Sequence, residues 1–413
     1  MKERIVFLAL AAAILIGAFA LTSQTDEGRG DVITLAVATD LHYLAPELTD
    51  HGEFFTELIT DADGKAMEYI DELVRAFAAE IAGAKPDALI LSGDLTFNGE
   101  TASHEALADI LSGIENAGVP VYVIPGNHDM NNSMAVGFVG DSYELAGSPT
   151  EGEFARIYAR FGYDEAISRD AGSLSYSVLL DGGVRLVFLD VNTRSNPGWA
   201  LDSTLDWLEG QLSEARSNGE RIVAVSHQNL YAHNPLLSDG YVIGNGGRIL
   251  ELYDEYGVLC NLSGHIHLQR TAAATVPEIV TSSLAVSPNQ YGLLSLRESS
   301  ASYETVPVDV EAWARGQGYG DEDLLDFTEY SSGFFRDTAV RQAMEALDGY
   351  EGAQALADFY ADVNALYFAG RTDLIEWDDS LMEDWQGRSF FIPLYLESIR
   401  AGGADNHTVM TVA

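Results

Sequence analysis

Apolar residues recur along the first three quarters of the chain in two alternating patterns. Short, nearly continuous apolar runs between polar or glycine-rich turns are typical of buried strands, whereas recurrence every three to four residues is typical of helices. The predicted strands cover residues 32–38, 88–91, 119–124, 174–180, 184–190, 221–225 and 258–262, and the predicted helices cover 65–82, 100–116, 202–217 and 246–256. Asp181-Gly182-Gly183 joins two of these strands and predicts a hairpin. The alternation predicts a layered α/β sandwich with mixed sheets.

From Glu311 onward the pattern becomes helical, and we predict no further strand there. Three helices are predicted over residues 324–347, 353–368 and 375–399. We expect the core of this region to be aromatic, and its predicted members are Phe334, Phe335, Tyr360, Tyr367, Trp385 and Phe390. The chain is therefore predicted to contain an α/β domain over residues 21–310 and a C-terminal helical domain over residues 311–413.

The N-terminus has the pattern of an export signal. Met1-Lys2-Glu3-Arg4 precedes an uncharged apolar run that ends at Leu21, and Ala18-Phe19-Ala20 is typical of a cleavage site. We predict a signal peptide over residues 1–20 and a secreted or extracytoplasmic protein. The run is long enough for an uncleaved membrane anchor to remain an alternative. Thr22 and Ser23 stand where a lipoprotein would carry cysteine, so lipid attachment is not expected.

The composition narrows the possible partners. The formal net charge is −42 at pH 7, and lysine occurs only at positions 2, 65 and 85. Such a chain repels polyanions, so we expect no nucleic-acid polymer as a partner. The single cysteine, Cys260, lies in an apolar run and is predicted to be a buried core residue. No intrachain disulfide is possible, so stability has to come from packing and from any bound metal.

Polar residues of metal-binding type follow five of the predicted strands. The segments in chain order are Asp40-Leu41-His42, Gly93-Asp94, Gly126-Asn127-His128-Asp129, Ser226-His227 and Gly264-His265-Ile266-His267. In α/β sheets, ligands bind beyond the carboxyl ends of strands, which is where these segments lie. They contain five of the nine histidines of the chain.

The spacing within the segments has a physical meaning. In extended chain, residues i and i+2 point the same way, so Asp40 with His42, and His265 with His267, can each direct two ligands to one place. Carboxylate, amide and imidazole ligands suit manganese, iron or zinc. Two such ions about 3.5–4 Å apart can hold a hydroxide and clamp an in-line displacement at phosphorus. We therefore expect two divalent metal ions as cofactors.

The ordered series DxH, GD, GNHD, H and GHxH resembles that of the calcineurin-like metallophosphoesterase superfamily, over roughly residues 34–270. The resemblance implies a four-layer αββα sandwich core. It also implies the metal ligands: Asp40, His42 and His267 for one ion, Asn127, His227 and His265 for the other, and Asp94 as a bridge between them. His128 would be the catalytic residue near the leaving group, and Asp129 would orient its neighbours.

Differences from the motifs of other members indicate which branch of the superfamily this chain resembles. Purple acid phosphatases carry tyrosine where this chain has Phe97, and protein phosphatases carry an aspartate there followed by an arginine. Phe97 and Asn98 supply none of these, so both activities are disfavoured, as is an acid dyad around His128. The run from Leu91 to Glu100 instead resembles bacterial class III cyclic-nucleotide phosphodiesterases. A helical C-terminal domain also resembles exported members of that group.

Several other polar residues allow both a functional and a purely structural interpretation. Asn98 and His233 are candidate substrate-binding residues, because they follow the segments of Asp94 and His227. A local turn is the favoured interpretation for Asp190 with Asn192. Asp61-Ala62-Asp63-Gly64 is interpreted as a plain turn, because the other positions of a calcium loop are missing. His51, His104 and His407 are predicted to be surface or loop residues.

These observations predict an exported dinuclear-metal phosphodiesterase that hydrolyses small phosphodiesters, cyclic nucleotides among them, with a metal-bridging hydroxide as nucleophile. A phosphomonoesterase or a lipid or cell-wall phosphodiesterase remains an alternative, because specificity would lie in the polar insertion over residues 130–170 and in the helical domain. A surface binding protein with a vestigial metal core is the non-enzymatic alternative. The sequence does not determine the oligomeric state.

Overall fold

The computed structural model describes residues 32–298 and 300–412. The predicted signal peptide lies outside these ranges. The strands are β1 (Ile33–Ala38), β2 (Ala88–Leu91), β3 (Val121–Val123), β4 (Val136–Val139), β5 (Ser142–Leu145), β6 (Ser168–Arg169), β7 (Tyr176–Leu180), β8 (Val184–Leu189), β9 (Arg221–Ser226), β10 (Cys260–Ser263), β11 (Arg270–Ala272), β12 (Glu278–Val280), β13 (Gln290–Leu296), β14 (Ala301–Pro307) and β15 (Val409–Val412).

The helices are α1 (Glu53–Asp61), α2 (Ile70–Ala84), α3 (Thr101–Asn116), α4 (Glu151–Ile157), α5 (Asp202–Asn218), α6 (Gly246–Tyr256), α7 (Val310–Gln317), α8 (Glu322–Leu325), α9 (Phe327–Ala346), α10 (Ala353–Phe368), α11 (Asp379–Trp385) and α12 (Phe391–Ala401). Within the described part of the chain, none of these helices combines the length and the apolar character needed to cross a membrane.

Two mixed sheets form the centre of the molecule. The first has the strand order β15-β14-β13-β1-β2-β3, and its strands β1, β2 and β3 are parallel. The second has the order β11-β12-β10-β9-β8-β7-β6, and its strands β8, β9, β10 and β12 are parallel. Because parallel neighbours share a direction, the carboxyl ends of β1, β2 and β3 meet at one edge, and those of β9 and β10 meet at another.

The four-layer arrangement follows from side chains that alternate between the two faces of each strand. In β9, Val223 and Val225 point into the core between the sheets, whereas Ile222 and Ala224 point outward to α5 and α6. On the first sheet, α2 packs over β13, where the Phe77 ring lies 5.4 Å from the ring of Tyr291. The predicted α/β sandwich with a C-terminal helical region is confirmed.

Most predicted elements match within a few residues, but short ones were missed. Helix α6 and the strand Ala88–Leu91 have the predicted bounds, and the predicted hairpin is β7–β8. The sequence analysis did not predict α1, nor the β4–β5 hairpin within the 130–170 insertion. The hairpin was not recognised because its second strand is exposed along its whole length, so it carries no alternating apolar pattern.

The C-terminal helices form a second core, and that core continues into the metal-ligand segment. Trp385, Leu396 and Leu356 pack there together with Ile266 and Leu268, which alternate with the two predicted histidine ligands of that segment. The amide of Gln269 also donates to the carbonyl of Phe368. The helical region is therefore attached to the part of the chain that carries His265 and His267.

Two expectations for this region are wrong. The strand β15 follows the last helix and pairs antiparallel with β14, so strands do not end at residue 311. Phe390 is 89% exposed and does not belong to the aromatic core, and Phe334 packs partly against the core of the sandwich instead. A strand of four residues gives too short a pattern to be recognised, since its pairing partner lies about a hundred residues earlier in the chain.

Candidate metal centre

The ends of β1 and β2 are joined by backbone hydrogen bonds that place the first ligands. The amide of Asp40 donates to the carbonyl of Gly93 at 2.9 Å, and the amide of His42 donates to the carbonyl of Asp94 at 3.1 Å. Gly126 allows the third segment to approach, because a Cβ at this position would lie 2.1 Å from Oδ1 of Asp94. The segments that follow β1, β2 and β3 are thereby held close together.

The predicted ligands adopt a strained backbone. Among the described residues, nine non-glycine residues have positive φ angles, and five of them are predicted ligands: Asp40, His42, Asp94, His265 and His267. Left-handed backbone costs energy for such residues and concentrates at functional sites. The left-handed backbone contradicts the prediction that the paired ligands lie in extended chain. The paired ligands instead converge through left-handed turns just beyond the strand ends.

One group of ligands is formed by Asp40, His42 and His267, whose donor atoms all lie within 4.8 Å of one another. Nε2 of His42 lies 3.0 Å from Nε2 of His267, which in turn lies 3.3 Å from Oδ1 of Asp40. Oδ1 of Asp40 and Nδ1 of His42 are buried without a hydrogen-bond partner. An unpaired buried carboxylate oxygen beside converging imidazole nitrogens fits a bound cation, because burial without a partner is costly.

The second group is formed by Asp94, His227 and His265, again within 4.8 Å of one another. Nε2 of His227 lies 3.3 Å from Oδ2 of Asp94, 3.2 Å from Nδ1 of His265 and 3.1 Å from Oδ1 of Asn127. Nδ1 of His227 donates to the carbonyl of Ser92 at 2.9 Å. This outer hydrogen bond leaves Nε2 free for a metal, as is usual for histidine ligands.

The ring orientation of His265 is also fixed. Its Nε2 donates to the carbonyl of Gly240 at 3.1 Å, so Nδ1 is the nitrogen that faces the second group. The amide of His265 donates to Oδ2 of Asp40, which belongs to the first group. The two groups are therefore adjacent. Asp94 is grouped with His227 and His265 and not with the first three ligands, so its role as a bridge between two ions stays a prediction.

The protonation states suit metal binding, with one exception. Burial and the charge of Lys65 hold the pKa of His42 well below its usual value, and burial together with His227 lowers the pKa of His265 to about 4. Burial disfavours ionisation of Asp94, but the neighbouring His227 outweighs it and keeps the pKa of Asp94 well below normal. The exception is His227: burial opposes its charge, yet Asp94 raises its pKa to about 9.

Taken together, the two groups fit two metal ions. Each provides buried or half-buried carboxylate and imidazole donors, and Asn127 adds an amide oxygen. Such mixed oxygen and nitrogen donors suit divalent manganese, iron or zinc. The proton on His227 would have to leave when an ion binds, since a metal ligand must be unprotonated.

The predicted catalytic histidine lies beside this centre. Nε2 of His128 is 4.0 Å from Oδ2 of Asp94, and its side chain is 37% exposed. Nδ1 donates to the carbonyl of Phe97 at 3.1 Å and to Oδ1 of Asn98 at 3.0 Å. These neutral oxygens occupy the place of an aspartate partner, in agreement with the expected lack of an acid dyad. They fix the ring so that Nε2 faces the metal groups.

Asp129 holds the segment that carries Asp94, as the resemblance implied. Its carboxylate accepts hydrogen bonds from the amides of Leu95, Thr96 and Gly126 at 2.8 to 3.1 Å. The prediction that His104 is a surface residue is wrong, because Nε2 of this buried ring bonds the carbonyl of Asp129 at 2.8 Å. A lone histidine in a helical pattern gives no sign of this contact.

The structure contradicts two further predictions, for His233 and His407, and agrees with two others, for Asp190 and Cys260. His233 is not free to contact a substrate, because its side chain is 4% exposed and its Nε2 lies 2.9 Å from the carboxylate of Glu278. His407 is buried rather than on the surface, and burial lowers its pKa to about 4. Asp190 caps its own turn by accepting from the amide of Asn192, as favoured. Cys260 is buried, as predicted.

The sequence analysis missed Asp63 and Lys65. Oδ2 of Asp63 lies 3.6 Å from Nδ1 of His267 and pairs with Nζ of Lys65, whose side chain is 11% exposed. The turn interpretation of the 61–64 segment is correct, but the turn stands at the metal centre. The available signal was the rarity of lysine: one of three lysines in a chain of charge −42 follows this turn directly.

The fold and the two ligand groups define a dinuclear metal-binding α/β sandwich. The sequence matches the calcineurin-like phosphoesterase family over residues 33–269, and the C-terminal domain of cyclic nucleotide phosphodiesterase over residues 309–402. The chain belongs to the calcineurin-like phosphoesterase family, as the motif series indicated.

Individual relatives are distant. The chain is 26% identical over 210 residues to the glycerophosphodiester phosphodiesterase GpdQ of Enterobacter lignolyticus, and this match covers 48% of the chain and 63% of that protein. It is 28% identical over 255 residues to a probable cyclic nucleotide phosphodiesterase of Synechococcus sp., covering 59% of the chain and 78% of that protein. A dimetal phosphatase from Danio rerio aligns at 15% identity with a TM-score of 0.48, over 66% of this chain and 95% of that one.

Proposed function

We propose that this protein is an exported phosphodiesterase that uses two divalent metal ions to hydrolyse small phosphodiesters, with cyclic nucleotides as the favoured substrates. The observation that carries the proposal is the convergence of two carboxylate–imidazole groups next to an oriented, partly exposed histidine. The names of the relatives support a diester as substrate, since they include glycerophosphodiester and probable cyclic nucleotide phosphodiesterases.

Metal ions held by the two groups would supply a water of lowered pKa and positive charge for the phosphoryl oxygens. His128 then has a definite task. Its Nδ1 proton is held by Phe97 and Asn98, so the side that can exchange a proton with a substrate is Nε2, which faces the metal groups. A proton donated from Nε2 to the departing alkoxide would balance the charge that develops on it.

The electrostatics agree with a small anionic substrate. A chain of net charge −42 repels anions at long range, and only positive charge at the site itself can reverse this field. Cations bound by the two ligand groups would provide that charge within one small region, since Lys65 is already paired with Asp63. A long polyanion would contact much more of the acidic surface, so a nucleic-acid polymer is not proposed as a partner.

The activity is tested with the chain from Leu21 onward, loaded with Mn²⁺ and assayed on a panel of phosphates. The panel contains an aryl diester, its monoester, 2′,3′- and 3′,5′-cyclic nucleotides and a glycerophosphodiester. We expect turnover of diesters above the monoester, and a loss of about a hundredfold or more in His128→Ala. His51→Ala is the matched control, because His51 is an exposed histidine that pairs with Glu68 and belongs to neither ligand group.

Three outcomes would contradict the proposal. Full activity after metal removal would exclude the dinuclear mechanism, and a preference for the monoester would indicate a phosphatase. A metal-free protein that binds no Mn²⁺ would favour the binding-protein alternative. Asp94→Ala is expected to lose both activity and metal, whereas His128→Ala should lose activity and keep its metal content, because only Asp94 is a predicted ligand.

Export has its own test. The apolar run after Arg4 and the Ala18-Phe19-Ala20 sequence support a cleaved signal. N-terminal sequencing of the protein recovered from cell fractions should find a chain that begins near Leu21, outside the cytoplasm. A full-length chain in the membrane fraction would support the anchor instead, and a full-length chain in the cytoplasm would exclude export.

A further inference from the structure

A cavity of about 430 Å³ opens directly beside the catalytic histidine. Its walls combine the polar side chains of His128 and Asn98 with the apolar side chains of Leu58, Met67 and Phe97. Lys65 also lines the cavity, next to Asp63, whose carboxylate pairs with the Lys65 ammonium. Volumes of this size are typical of small-molecule sites, which combine apolar walls with a few polar groups.

The last wall of the cavity comes from the C-terminal helical region. Gln342 of α9 lines the cavity, and its Nε2 donates to the carbonyl of Ala62 at 3.1 Å. Its neighbour Arg341 donates to the carbonyl of Thr60. Helix α9 thus holds the C-terminal end of α1 and the turn that follows it by two hydrogen bonds to the backbone.

Gly64 shows how closely this helix fits the turn. The residue has a φ angle of 80°, and a Cβ there would lie 2.7 Å from the ring of Phe335 on α9. Only glycine combines this backbone conformation with so close a neighbour. Asp63 and Lys65, on either side of Gly64, are therefore placed at the metal centre by a helix about 270 residues further along the chain.

We infer that this cavity receives the base of a nucleoside phosphodiester, and that helix α9 of the C-terminal region completes it as a specificity-determining wall. The inference rests on the proposed function. A flat ring can cover the apolar side chains of Leu58, Met67 and Phe97, while Gln342 and Asn98 can hydrogen bond to its edge. A glycerol group offers no apolar face and would leave that wall in contact with water.

The first test replaces one apolar wall residue without altering charge. Leu58→Gln keeps the size of the side chain, and Leu58 is 38% exposed, so the fold should tolerate the change. We expect kcat/KM for 2′,3′-cyclic AMP, divided by kcat/KM for glycerophosphoethanolamine, to fall about tenfold. Leu394→Gln is the matched control, because Leu394 is 47% exposed on the remote helix α12. Thermal unfolding verifies that both variants are folded.

A binding measurement separates this inference from the proposed function. Adenosine has the base but no phosphate, so its binding to the Mn²⁺-loaded protein, followed by calorimetry, requires no hydrolysis. We expect weaker binding of adenosine to Leu58→Gln than to Leu394→Gln. If the wild type hydrolyses no diester, the proposed function fails, but the adenosine titration still shows whether the cavity binds a base. Absence of adenosine binding to the wild type at millimolar concentration would overturn the inference.

The contribution of helix α9 is tested by Gln342→Ala. Loss of the hydrogen bond to Ala62 and of the polar wall should lower the same substrate ratio several-fold. Gln354→Ala on α10 is the matched control, because Gln354 donates a hydrogen bond to Asp358 of its own helix and does not line this cavity. An equal ratio in the two glutamine variants, or in the two leucine variants, would overturn the assignment.

Discussion

The raised pKa of His227 predicts how metal binding depends on pH. Burial disfavours a charged imidazole, yet the carboxylate of Asp94, 3.3 Å away, raises the pKa of His227 to about 9. A protonated nitrogen cannot bind metal, so below that pH each binding event must displace this proton. His42 and His265 have lowered pKa values and are already neutral near pH 7, so they add no further dependence.

The size of the effect follows from these values. Two pH units below a pKa of about 9, His227 is about 99% protonated, which weakens metal binding by roughly 2.7 kcal/mol, or about a hundredfold. The apparent affinity of this site should therefore rise about tenfold per pH unit up to pH 9 and level off above it. Below its pKa the proton on His227 stabilises the metal-free state, so metal binding weakens as the pH falls.

The assay is a competition titration of Mn²⁺ against a chelating dye at several pH values from 6.5 to 8.5. Calorimetry at pH 7.5 in two buffers of different ionisation enthalpy then counts the protons released, and we expect about one for the pair of sites. Asp94→Asn should bind more weakly and with a smaller slope, because the source of the raised pKa is gone. Asp109→Asn, on the exposed side of α3, should behave as the wild type.

An affinity that does not change between pH 6.5 and 8.5 would refute this reasoning. So would the release of three or more protons, because the neutral state assigned to His42 and His265 would then be wrong. In either case the electrostatic account of the metal groups would have to be replaced.

Three further predictions concern residues around the site. In steady-state assays at two salt concentrations, Lys65→Met should lower kcat/KM for an anionic diester about tenfold and reduce the salt dependence of kcat/KM. The control Lys85→Met should change neither quantity, and equal effects of the two substitutions would exclude a role for Lys65. Glu278→Ala should lower the free energy of unfolding in urea by about 3–5 kcal/mol, because the buried carboxylate accepts hydrogen bonds from Leu230, Asn261 and His233. A decrease of less than about 1 kcal/mol would contradict this. Burial raises the pKa of Glu100 from 4.5 to about 7, so the contribution of this group to stability should fall as the pH rises from about 4.5 to 7. Glu100→Gln should therefore be more stable than the wild type at pH 8, by up to about 3 kcal/mol, but not at pH 4.5, and a pH-independent difference in urea unfolding would refute this.

The motif series predicted much of the centre because its residues are placed by local rules. Each predicted ligand follows a strand, and the carboxyl ends of parallel strands meet at one edge of a sheet. The resemblance carried by these motifs implied which residues come together, and the structure places the carboxylates and imidazoles in two groups. The extended-chain argument for the paired ligands was wrong in detail, since they adopt left-handed backbone.

The errors share a physical cause. His104, His233 and His407 were judged by their immediate neighbours in the sequence, but their burial depends on Asp129, Glu278 and Thr271, which lie 25, 45 and 136 residues away. Hydrophobic periodicity reports which face of an element is apolar, and it contains no information about which distant polar group that face meets.

The sequence by itself determined the class of fold and the helical character of the C-terminal region, and it indicated the candidate metal ligands, because strand patterns, turn residues and short spacings act within a few residues. Only the tertiary structure decided that Asp63 and Lys65 stand at the metal centre and that Gln342 lines the cavity beside His128. Asp63 and His267 are 204 positions apart in the sequence, and Gln342 and His128 are 214 apart. They come together because Phe335 packs on Gly64 and helix α9 holds the turn. Packing between distant segments brings such residues together, and no local pattern encodes it.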